Sequence, residues 1–215
     1  MTVEYLLQER PSWRGRLHSW AFFAAIPAGV VLIIIAVGGA GRTAAAIYTG
    51  TLLAVFGTSA AYHRLAHSLR ARRVMQRLDH SMIYLLIAGT YVPICLVALP
   101  PQWGIPLLAA VGIAGVVGMV IKLFGIQRLQ VLGYALYPLM GWAAVAAAPA
   151  LGRHLSGTEL ALVIAGGIAY TVGFPVLLLH RPDPWPGSFG YHEVWHGFTV
   201  LAAVLHFGAV ASVVA

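Results

Sequence analysis

Hydrophobic residues fall in seven long runs, at 18–38, 43–63, 80–99, 104–124, 130–151, 158–179 and 193–214, with short polar connections between them. Each run is close to the ~20 residues that a helix needs to cross the hydrocarbon core of a bilayer. The pattern predicts an all-α integral membrane protein, a bundle of seven transmembrane helices. It divides the chain into a leading segment over 1–17 and a transmembrane domain over 18–215. Pro93, Pro138 and Pro175 lie inside runs, where neighbouring helices satisfy the carbonyls that a proline frees, and they read as packing kinks. Gly112, Gly115 and Gly118 in the fourth run, with Gly166 and Gly167 in the sixth, suit close helix approach.

Composition strengthens this reading. Of 215 residues, 60% are hydrophobic and 9% are charged, a balance that a soluble domain of this size could not hide in one core. The formal charge of +7 would suit nucleic acid if it were gathered on one soluble face, but the basic residues are scattered over connections between apolar runs. They report topology instead. Arg10, Arg14, Arg16, Arg64, Arg70, Arg72, Arg73, Arg77, Lys122, Arg128 and Arg181 fall on one side, and Arg42 and Arg153 on the other. That bias places the N-terminus in the cytoplasm and the C-terminus outside. The leading segment carries Glu4, Glu9, Arg10, Arg14 and Arg16 with no clear small-residue cleavage site behind it, so the first run is expected to be retained as a span. Cys95 is the lone cysteine, which excludes an internal disulfide and cysteine-rich metal sites.

Topology then gathers the unusual polar residues. The second span ends, and the third and seventh begin, at the cytoplasmic face. Ser59 and His63, four apart, share a helix face at the close of the second span. Asp79 is expected to open the third span, where pairing with Arg77 or capping the helix N-terminus is an alternative role. His192 and His196 share a face at the start of the seventh span, with the spacing that lets two imidazoles grip one metal ion. His206 lies ten residues further on, ~15 Å deeper along the helix, so His63 is the better third ligand. His18, His67, His80 and His180 read as solvated interfacial groups, and Trp103, Trp142, Trp185 and Trp195 as interfacial aromatics.

These residues resemble the progestin and adipoQ receptor family, in particular its bacterial branch, the hemolysin III proteins. The matching pieces are Ser59 with His63, Arg77-Leu78-Asp79-His80 continuing through Ile83-Tyr84 to Ala88-Gly89-Thr90-Tyr91 and Pro93, and His192 to His196 followed by His206-Phe207. The resemblance implies a multi-pass protein of the bacterial plasma membrane holding zinc on His63, His192 and His196, with Asp79 and Ser59 beside the water that zinc activates. It also implies a membrane lipid as substrate or ligand, while the scattered basic residues already speak for no nucleic-acid partner. Receptor members are thought to act as lipid amidases of ceramidase type. The short segment ahead of the first span argues against ligand signalling to a partner protein.

Three protein ligands leave a tetrahedral position open, the arrangement of a catalytic zinc. The leading expectation is therefore a zinc-dependent lipid hydrolase, with Asp79 orienting or deprotonating water and Ser59 donating to the water or the developing oxyanion. A second expectation is a non-enzymatic sensor or regulator of membrane properties, or a cytolysin, stapled by structural zinc. The third is an intramembrane metalloprotease using Glu193, since His192-Glu193-Val194-Trp195-His196 spells the zinc-protease pattern.

Overall fold

The computed structural model describes residues 11–185 and 187–215. Residues 1–10, which hold most of the expected leading segment, lie outside them. Among the described residues, seven helices are long and apolar enough to cross a membrane: α1 (Arg16–Ile35), α2 (Gly38–Leu65), α3 (Leu69–Ala98), α4 (Pro101–Phe124), α5 (Gln127–His154), α6 (Gly157–Leu179) and α7 (Tyr191–Val214). They run up and down with short turns, the topology that seven spans with alternating charge require.

The largest departure from the apolar runs is at α3, which starts at Leu69 instead of residue 80. Its first turns carry Arg70, Arg72, Arg73 and Arg77, and hydropathy is blind to a polar helix that projects past the membrane. Ser68 caps it, accepting from Ala71 N at 3.1 Å. Asp79 consequently does not open the helix or cap it. It lies ten residues inside, on a buried face.

Two apolar clusters form the core. One joins α1, α2, α3 and α7 around Leu32, Tyr48, Leu52, Phe56 and Val210. The other joins α3, α4 and α5 around Tyr84, Tyr91, Val111, Tyr137 and Met140. Among the described residues, helix irregularity falls in the second cluster's elements: α3 ends in a π-helical turn at Ile94–Ala98 directly after Pro93, and α5 tightens into a 3-10 stretch at Ala143–Ala147 beyond Pro138. Backbone freed in this way must find partners away from water. Tyr91 supplies them, donating its hydroxyl to Met140 O at 2.7 Å and accepting from Ala144 N at 3.0 Å.

Small residues set helix separations where they meet bulky neighbours. A Cβ on Gly118 would stand 2.3 Å from the Tyr84 ring, and one on Gly166 would stand 2.5 Å from the His206 ring. Gly112 and Gly167 face open space instead, because they point away from the α3 and α7 contacts. At the end where α7 finishes the bundle is tied by Val37 N to Val214 O, 2.8 Å, and by Ser212 Oγ to Glu159, 2.7 Å. At the opposite end, residues 11–15 pack against the connection that leads into α7. Ser12 N and Trp13 N donate to Gly187 O and Ser188 O in the connection that leads into α7, at 3.3 and 3.2 Å.

Candidate metal centre

α2 ends, and α7 begins, at this same face, and the helical period of each turns its histidines inward. His63, in the last turn of α2, is 5% exposed; His192 and His196, one turn apart in α7, are 7% and 2% exposed. One ligand atom from each of the three lies within 4.8 Å of the other two. His192 Nε2 and His63 Nε2 approach to 3.1 Å. Metal–nitrogen bonds of ~2.0–2.1 Å in a tetrahedron separate ligand nitrogens by roughly 3.3 Å, so the donor set fits a small transition-metal ion. Neutral imidazole is also the donor best suited to one in a site without thiolate.

Asp79 comes from α3 to the edge of this cluster, with Oδ2 3.8 Å from His63 Nε2. Ser59, one turn before His63, stands beside the Asp79 carboxyl, but its buried hydroxyl makes no hydrogen bond of acceptable geometry. His192 Nδ1 is likewise buried without a partner. Metal-binding histidines ordinarily donate their outer N–H to a carbonyl or carboxylate, and for His192 the protein provides none among the described residues. The five residues expected at the site, Ser59, His63, Asp79, His192 and His196, therefore lie together where α2, α3 and α7 meet.

Glu193 is almost fully enclosed and both its oxygens are engaged. Arg14 Nε reaches Oε1 at 2.5 Å, and Gly190 N donates to Oε2 at 2.9 Å. Its role is to close the first turn of α7 and to anchor the segment ahead of α1. His206 takes no part in the centre: its Nε2 lies 3.2 Å from Val163 O and its ring packs on Gly166.

His18 overturns the expectation of a solvated interfacial group. It is 3% exposed and stacks face to face on His196, with ring centroids 3.7 Å apart and planes 9° from parallel. His67 and His180 are exposed as expected, and His80 is half-buried. Trp195 departs from the interfacial reading too, being buried against Gly173 of α6. The sequence holds a partial signal for His18, a histidine in the first turn of an apolar helix at the face where the other histidines gather, but its burial also depends on the contacts of Arg14 and Gly15. Between α1 and the end of α2 opens a groove of about 420 Å³ lined by Arg16, Ser19, Trp20, Phe23 and Arg64.

The family model for haemolysin-III related proteins matches residues 7–207. The chain belongs to the haemolysin-III related family. A hemolysin-3 homolog of Bacillus subtilis is 33% identical over 186 residues, covering 85% of this chain and 84% of that protein. Hemolysin-3 of Bacillus cereus is 32% identical over 193 residues, covering 88% and 85%. A more distant relative, the adiponectin receptor protein of Drosophila melanogaster, is 26% identical over 185 residues, which is 77% of this chain and 41% of the receptor. Membership in this family, together with seven spanning helices, makes the chain a multi-pass protein of the bacterial cell membrane.

Proposed function

We propose that this haemolysin-III relative is a zinc-dependent hydrolase of lipid amide or ester bonds, of ceramidase type, that works from the cytoplasmic leaflet in membrane lipid homeostasis. The observation that carries the reading is the donor set: three buried imidazoles converge, and the Asp79 carboxylate stands beside them instead of among them. A structural site closes its coordination with protein donors, whereas a catalytic one keeps a position for reactants. When bound, zinc supplies a Lewis acid and lowers the pKa of a coordinated water to about 7.

The chain's own residues divide the remaining work. His63, His192 and His196 hold the ion. Asp79 orients the attacking water and accepts its proton, while the unpartnered Ser59 hydroxyl donates to oxygen that gains charge as the carbonyl is attacked. A lipid reaches the centre sideways between helices, and the groove at Arg16, Trp20, Phe23 and Arg64 offers cationic groups beside aromatic surface at headgroup level. Glu193, committed to Arg14 and Gly190, speaks against peptide hydrolysis by the zinc-protease route.

The test is lipid turnover by purified, metal-analysed protein across ceramides, other N-acyl lipids and phospholipid esters. Asp79→Asn should keep its zinc and lose about 100-fold or more in rate, as expected for a general base. Full zinc occupancy without turnover of any lipid in the panel, or a fully active Asp79→Asn protein, overturns the hydrolase and favours a structural zinc.

A further inference from the structure

The proposed chemistry makes no use of His18, yet the protein keeps this ring where it is costly to keep. Neither Nδ1 nor Nε2 has a hydrogen-bond partner among the described residues, and both are buried. One face lies on His196 and Phe56 meets the ring at 5.1 Å. Leaving buried polar atoms unpaired opposes folding, and an apolar ring of similar size would stack as well without that cost. What the imidazole adds is its nitrogens.

The position of His18 is set from several sides. Arg14, four residues earlier, is bound to Glu193 of α7. Gly15, with φ of 79°, leaves no room for a side chain, since a Cβ there would stand 2.7 Å from His63 Cβ. The turn that starts α1 is thus pressed against both helices that carry the three histidines.

Ring geometry limits what His18 can do. An imidazole binds a metal through a lone pair in its own plane, and a ring stacked parallel to His196 lies one ring thickness out of the plane in which His196 would bind. His18 is also absent from the set of three with mutually close ligand atoms. A neutral imidazole still carries one N–H donor. We propose that His18 is a fourth histidine of the centre: its stack orients His196, and its ring N–H donates to a carbonyl oxygen or small anion that approaches the metal. This rests on the reading of His63, His192 and His196 as metal ligands.

The experiment loads the full chain, purified in detergent, with Co²⁺, whose visible spectrum reports coordination, and titrates it with azide. His18→Phe keeps the stack and removes the nitrogens. It should retain cobalt content and spectrum but bind azide about tenfold or more weakly, the scale of a lost hydrogen bond to a charged group. His18→Asn, which restores an N–H donor, should recover part of that loss relative to His18→Leu. The Asn and Leu pair answers the question alone if the Phe variant does not fold. Equal azide affinity in wild type and His18→Phe, or in the Asn and Leu variants, overturns the inference. Dependence of azide binding on His18 in a protein that cleaves no lipid leaves the inference standing and removes the hydrolase. Lipid cleavage with azide binding indifferent to His18 does the reverse. A wild-type chain that takes up no cobalt removes the metal reading and this inference together.

Discussion

Among the described residues, the two halves of the bundle differ in whether they leave buried polar side-chain atoms without a partner. In the α3–α5 half, tyrosine hydroxyls are spent on backbone: Tyr84 donates to Gly133 O at 2.6 Å, Tyr91 to Met140 O, and Tyr137 to His80 O at 2.8 Å. Lys122, buried in the same region, has its ammonium 3.5 Å from the centre of the Tyr134 ring. In the α1–α2–α7 half, by contrast, His18 Nδ1 and Nε2, Thr49 Oγ1, Ser59 Oγ and His192 Nδ1 are buried without partners among the described residues. Protein interiors rarely leave such atoms unmet, and each exception calls for an explanation. Satisfied polar groups hold a kinked bundle together, whereas the unmet ones gather, Thr49 apart, around three converging imidazoles. The difference separates polar residues that serve the fold from those held ready for something that binds.

Removing a group from each half should therefore damage different properties. The largest effect is expected for His192→Ala. Loss of a ligand should weaken metal binding by at least ~100-fold, beyond the roughly 10–100-fold typical of groups behind a ligand, while the metal-free helical fold persists. Metal analysis after dialysis, beside circular dichroism, reads both. If the variant unfolds, the metal is a staple, and the contrast between the halves disappears.

Tyr91→Phe is the converse test. Its hydroxyl serves Met140 O, Gly141 O and Ala144 N around the 3-10 stretch of α5. Those backbone groups would be stranded away from water, at a cost of about 1–3 kcal/mol. The melting temperature in detergent should fall by several degrees with metal content unchanged. A fall in metal content instead would mean that the two halves are coupled through α3.

Much of this division was legible in the sequence, and the reasons differ by feature. Apolar runs placed all seven helices because a bilayer imposes one length on each span. Arginine counts then aligned the ends of α2, α3 and α7, which brought His63, Asp79, His192 and His196 to one face before any contact was visible. The eleven-residue extension of α3 was hidden, since its arginines erase the apolar signal while remaining good helix formers. His18 was misjudged because burial of a single histidine depends on the segment before it, and that segment is held by Arg14 and Gly15 through contacts far away in sequence. Gly112 and Gly167 showed the matching limit: a glycine in a span marks a possible close approach, and the facing helix decides whether one occurs.

Thr49 gives the smallest expected effect and the sharpest boundary to the comparison. It lies in α2 more than two turns from Ser59, its Oγ1 is unpartnered, and its Cγ2 presses toward Gly29 of α1, where an added Cβ would come within 2.1 Å. Its methyl group thus fills the α1–α2 contact and its hydroxyl contributes no bond. Valine has the same shape with a methyl in place of the hydroxyl, and exchanging an unpaired buried polar atom for an apolar one of equal size is close to neutral or mildly stabilising. Thr49→Val should leave metal content and lipid turnover unchanged and hold or slightly raise the melting temperature. A loss of turnover at full metal content would show that the reactive region extends down α2 beyond Ser59, and that Thr49 belongs with the atoms held ready for a ligand.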